Sequence, residues 1–121
     1  MDRGAFETLI SDAIRDLPEE FRRKLENVAI IVQDYPSEEL LDQVGVPPGH
    51  TLFGLYEGVP LTKRGFFEAP LHPDRILIFQ RAIEDECDSS DEIKEELKIT
   101  LVHEIAHFFG MEDDYLEEIG Y

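Results

Sequence analysis

His103, Glu104, His107, Gly110 and Asp113 stand in the spacing HExxHxxGxxD, the pattern of a helix-borne zinc site with a carboxylate as general base. Residues four apart on a helix project from one face, so His103 and His107 can reach a single metal ion. Glu104 lies one position on, about 100° around the axis, where it can touch a metal-bound water without ligating the metal. Gly110 can end the helix with a positive φ and turn the chain back, which carries Asp113 toward the open side of the metal. Zinc accepts imidazole nitrogen at roughly 2.0–2.1 Å and carboxylate oxygen at a similar distance, and its catalytic sites keep a fourth position for water. The expected metal ligands are His103, His107 and Asp113 around one zinc ion. Glu104 is the expected catalytic base, taking a proton from water as it attacks a carbonyl and passing it to the leaving nitrogen.

The third ligand has neighbours of the same chemistry. Asp114 follows Asp113 and Glu112 precedes it; these acids could instead form a solvated C-terminal turn, or Asp113 and Asp114 could open a short last helix over residues 114–119. Met111 falls inside the motif and reads as packing. His50, after Pro47-Pro48-Gly49, and His72, between Leu71 and Pro73, read as surface histidines. An oxyanion would need a donor besides the metal; Tyr115, Tyr121, Arg64 and Arg81 are the candidates, and nothing in the sequence selects among them. The acidic run from Glu84 to Asp88 lacks the alternating spacing and glycine of a calcium loop and reads as a solvated loop.

Several elements must position these residues. Phe6, Leu9, Ile10, Ala13, Ile14 and Leu17 have helical spacing over residues 3–16, and Pro18 opens a second helix running to about Leu25. Val28 to Val32 is a β-branched run that predicts a buried strand. Ser37 can cap a short helix. Residues 51–56 alternate as a second strand, Thr62 to Gly65 reads as a turn, and Arg75 to Gln80 is the clearest strand in the sequence. Ser89 and Glu92 resemble a capping box. From there Ile93, Leu97, Leu101, Ile105 and Phe109 predict one apolar stripe, with His103 and His107 off it.

The chain has 121 residues, 42% of them hydrophobic, which suits one folded domain over residues 1–121. Its net charge of −17, from 28 acidic against 11 basic residues, repels phosphates and anionic head groups, so neither nucleic acid nor membrane is an expected partner. The single cysteine, Cys87, cannot form an internal disulfide and has no CxxC partner; it fits a reducing compartment. The N-terminus lacks the basic start and apolar core of a secretory signal, so a cytoplasmic protein is expected.

HEIAHFFGMEDD at 103–114, with LFGLYEGVPLT at 52–62 and RILIFQRAIE at 75–84, resembles the zincin superfamily and, within it, the small bacterial zincin-like metallopeptidases. The resemblance implies an α+β fold, a small twisted mixed sheet of about three strands packed against the active-site helix and the N-terminal helices. It also implies a peptide or protein substrate, bound in extended form along the edge strand at residues 52–57. After Asp113 the sequence runs only to Tyr121, so the subdomain that carries a Met-turn in larger zincins is expected to be missing. An open half-cleft results, which a homo-oligomer or partner could complete. The leading expectation is a zinc-dependent peptidase. Its rivals are a non-catalytic, metal-stabilised acidic binding module and a zincin-like ribonuclease, the latter opposed by the charge and by Glu104. Two histidines with a carboxylate also suit non-haem iron, but an i, i+4 pair enclosing a glutamate favours hydrolytic zinc.

Overall fold

A computed structural model of the chain describes residues 1–58 and 74–121. Helix α1 spans Arg3–Arg15, α2 Glu19–Leu25 and α3 Glu38–Val44; α4 spans Gln80–Glu86, α5 Ser90–Phe109 and α6 Asp113–Glu118. Strands β1 (Ala29–Gln33), β2 (Gly54–Glu57) and β3 (Arg75–Phe79) form one sheet in the order β1-β3-β2. β3 is central: β1 runs parallel to it and β2 antiparallel. The expected α+β architecture with a small three-stranded mixed sheet is what the molecule has. The turn expected at residues 62–65 lies outside the described residues. Among those described, no helix is long and apolar enough to cross a membrane.

The helix ends follow local chemistry. The Asp2 carboxylate accepts from Ala5 N–H at 2.8 Å and starts α1; the Ser37 hydroxyl accepts from Leu40 N–H at 3.1 Å and starts α3. Ser89 caps α5 as expected, accepting from Glu92 N–H at 3.2 Å. The Glu92 side chain returns not to Ser89 but to the N–H of Asp88, at 2.8 Å, one residue further back than in the usual box.

One face of the sheet, through Tyr56, Ile76 and Ile78, packs with α1, α2 and α5 in a continuous apolar core. Phe6, Phe21, Leu97, Leu101 and Ile105 are fully buried there. The opposite face buries Leu77, Phe79 and Ala82 against Leu40 of α3 and Leu52. β3 is therefore apolar on both faces, which explains its unbroken run.

Three expectations need correction. β1 is half-buried rather than buried, because among the described residues it pairs only with β3 and lies at the sheet edge. The acidic segment after β3 is not all loop: Gln80–Glu86 is a helix. Gln80, Ala82 and Ile83 are buried, while the dense acids that suggested a loop occupy the solvent side or, at Glu84, bond Gln80 at 2.7 Å. Phe109 leaves the apolar stripe and is 40% exposed. A repeat of four advances about 40° past a full turn each time, so four steps carry Phe109 about 160° round from Ile93. Val102 and Ala106 take its place in the core.

β2 lies unusually close to α5. A Cβ at Gly54 would sit 2.8 Å from Thr100 Cγ2 and 3.0 Å from the Leu77 carbonyl oxygen, nearer than a side chain can pack. Gly54→Ala is therefore expected to cost about 1–3 kcal/mol in urea unfolding, with part recovered by adding Thr100→Ser, which removes the clashing methyl. Wild-type stability in the single variant would contradict the close approach. Removing the α5 cap with Ser89→Ala should cost about 1 kcal/mol in the same assay; no change would show that the cap bond is not formed.

Candidate metal and catalytic site

The site lies where the C-terminal half of α5 passes β2. Ile105, Ala106, Leu101 and Val102 bury one side of this half-helix, which leaves His103 and Glu104 half-buried and His107 exposed. The two imidazoles are one turn apart, 6.1 Å between ring centres and nearly perpendicular at 83°. Gly110 ends the helix at φ 71° as the motif requires, and Met111 N–H bonds the Ala106 carbonyl at 2.8 Å, the six-residue bond of a Schellman ending. Met111 then packs on the core.

Glu104 points at the strand. Its Oε1 accepts from the backbone N–H of Tyr56 in β2 at 3.0 Å. Burial pushes the Glu104 carboxyl above the ordinary carboxylate range; the Tyr56 N–H, then His107 and His103, pull the other way without cancelling it. The Tyr56 ring locks the same junction. It stacks on Phe108 at 4.1 Å and 21°, and its hydroxyl bonds Asp74 at 2.8 Å. Phe109 meets Tyr56 edge-on at 6.2 Å and lies under the Lys24 ammonium of α2, 5.1 Å from the ring centre.

Two open cavities meet at His107. One, about 440 Å³, is lined by His107, Met111, Glu112, Asp113 and Asp114. The other, about 350 Å³, has Glu104, His107 and Tyr56 on one side and apolar Val44, Leu52, Leu55 and Phe108 around the rest. Asp113 shares a cavity with His107, but it is also the first residue of α6, with Glu112 as N-cap. The alternative reading of these acids as the start of a last helix is thus realised, one residue earlier than expected. Among the described residues, no three His, Cys, Asp or Glu side chains gather closely enough to form a ready metal cage.

His103 explains part of this. Its Nε2 lies 2.8 Å from the backbone carbonyl oxygen of Tyr121. A carbonyl oxygen only accepts, so Nε2 is the donor in this arrangement. A metal on Nε2 would require the Tyr121 carbonyl to give way. The donor types nonetheless suit zinc: two imidazoles one turn apart, carboxylates across the cavity from His107, and a glutamate between them held on a separate partner.

The remaining sequence candidates fall elsewhere. His50 is exposed; His72 and Arg64 lie outside the described residues. Arg81 pairs with Asp34 at 3.6 Å, and the Tyr115 hydroxyl bonds Glu20 of α2. Tyr121 engages His103 by its carbonyl, so none of these contacts places an oxyanion donor at the cavity. Cys87, half-buried before the opposite end of α5, has its thiol pushed up by burial and by Glu96 and Glu92; that opposes a thiolate role. Tyr56 as a backbone donor and Phe108 as a cavity wall were not among the candidates. A main-chain N–H leaves no mark in residue type, and Phe108 had no pattern to separate it from core.

Comparison with solved structures finds a conserved hypothetical protein from Thermus thermophilus, 18% identical, with a TM-score of 0.56 over 90% of this chain and 94% of that one. At that identity the likeness concerns the fold. No curated protein matches the chain. The model of the zincin-like metallopeptidases matches residues 25–121, from the end of α2 through both histidines to Tyr121. The chain belongs to the zincin-like metallopeptidase family.

Proposed function

We propose that the protein is a minimal zinc-dependent peptidase, with Glu104 as general base and His103, His107 and Asp113 as the metal-holding residues. The observation that carries this reading is the setting of Glu104. It stands between two imidazoles on one helix, held by the Tyr56 N–H, with its carboxylate at the wall of an open cavity. When bound, zinc supplies the Lewis acidity that peptide hydrolysis needs. Glu104 takes the proton of the attacking water and hands it to the leaving nitrogen. Its bond to Tyr56 fixes the carboxylate without satisfying both oxygens, which leaves lone pairs for that exchange. β2 is the last strand of the sheet among the described residues, and an extended peptide adding beside it would lie near Glu104. The charge of −17 supports a peptide partner over nucleic acid or an anionic membrane.

A non-catalytic module is favoured by one observation, the Tyr121 carbonyl on His103 Nε2, which competes with a metal for that nitrogen. The two readings separate on turnover. Zinc-loaded protein is expected to hold about one zinc per chain, and a chelator should lower its melting temperature because only the folded state assembles the donors. His107→Ala should lose the metal. Glu104→Gln should keep the metal and lose roughly 10²- to 10⁴-fold in peptide hydrolysis, measured by mass spectrometry on a mixed peptide pool. Hydrolysis unchanged in Glu104→Gln would remove the general base. Zinc-dependent melting with no cleavage by the parent chain would leave the binding module.

A further inference from the structure

Phe109 and Tyr115 are large rings left 40% and 36% exposed, and both reach side chains of α2. They flank the chain reversal at residues 110–112, Phe109 as the last residue of α5 and Tyr115 in the first turn of α6. The Lys24 ammonium lies 5.1 Å from the Phe109 ring centre, and the Tyr115 hydroxyl donates to the Glu20 carboxylate. Glu20 and Lys24 are four residues apart, so one strip of α2 holds both sides of the turn. α2 is itself fixed, because Phe21 and Leu25 are buried in the core.

The consequence falls on Asp113. The bond from Met111 N–H to the Ala106 carbonyl fixes where the chain leaves α5, and the angle at which α6 departs is then the remaining freedom. That angle decides how far the Asp113 carboxylate stands from His107 across their shared cavity. A zinc–oxygen bond tolerates an error of only about 0.2 Å. α6 is six residues long and buries one side chain, Leu116, so a small tilt is enough to miss. Exposed contacts of this kind add little to global stability; placement is what they supply. Resting on the metal-holding residues proposed above, we propose that Glu20 and Lys24 are positioning residues for the metal centre. They brace the Gly110 turn from both sides, through Tyr115 and Phe109, and so set the reach of Asp113.

The test reads zinc affinity, by competition with a chromogenic chelator, on the full chain. Tyr115→Phe and Glu20→Ala should each weaken zinc about ten-fold, while the melting temperature of the metal-stripped protein holds within about 3 °C. Glu20→Gln keeps an acceptor for the Tyr115 hydroxyl and should restore affinity to within about three-fold of the parent. Lys24→Met, which keeps the stem and removes the cation, should weaken zinc by about three-fold. With cobalt in place of zinc, the visible spectrum of Tyr115→Phe should shift toward that of Asp113→Asn. In an Asp113→Asn background, Tyr115→Phe should weaken the metal no further, since the brace acts through that carboxylate. Unchanged affinity in both Tyr115→Phe and Glu20→Ala overturns the brace. So does an equal loss with and without Asp113, which would make the contact a general support of the fold. Asp113→Asn that binds zinc like the parent defeats the proposed ligand set, and the brace with it. Metal binding that follows the stated pattern without peptide cleavage defeats the peptidase reading alone and leaves the brace.

Discussion

The approach of β2 to α5 at Gly54 is the constraint on which the site depends. A strand normally stands off a helix by the depth of two side chains. Here one of those side chains is missing, and Thr100 packs against bare backbone. Two residues further along β2, the Tyr56 N–H reaches Glu104, one turn beyond Thr100 on α5. A larger residue at position 54 would hold the strand away and leave the carboxylate half-buried without its donor. The same approach allows Tyr56 to stack on Phe108, so backbone and ring fasten the junction together. Packing and proposed chemistry are here one contact.

The helix that supplies the histidines is stable for reasons unrelated to them. α5 is capped by Ser89 at one end and closed by Gly110 at the other, and Ile93, Leu97, Leu101 and Ile105 anchor it to α1 and the sheet. This rigid support places His103 and His107 one turn apart, with Glu104 next to His103. The proposed third donor is less firmly placed. Asp113 belongs to α6, a helix of six residues that touches the core through Leu116. The hydroxyl of Tyr115 ties that helix to α2 through Glu20. Rigid histidines facing a lightly anchored carboxylate are consistent with a metal centre that completes itself on binding.

Much of this was legible in the sequence, and the rest was hidden for definite reasons. The HExxHxxGxxD spacing disclosed the helix, its glycine ending and the face bearing the imidazoles, because those depend on the 3.6-residue period and on φ at one position. β3 and the Ser37 and Ser89 caps were equally plain. α4 was hidden because its buried residues, Gln80, Ala82 and Ile83, are followed at once by as many acids, whose place outside the core only the fold reveals. Phe109 was misplaced because a strict four-residue repeat does not stay on one face. The Tyr56 N–H and the Tyr121 carbonyl could not have been found at all: every residue but proline offers the first, every residue the second. Asp113 was named from spacing, and its place as the first residue of α6 shows that spacing bounds a ligand's neighbourhood without fixing its reach.

X-ray absorption at the zinc edge, on the loaded protein in solution, tests the proposed centre most directly. The account predicts a four-coordinate shell of nitrogen and oxygen near 2.0 Å, with the outer-shell scattering of two imidazoles. A shell containing sulfur, which only Cys87, Met1 or Met111 could supply, or one without imidazole scattering, would contradict it.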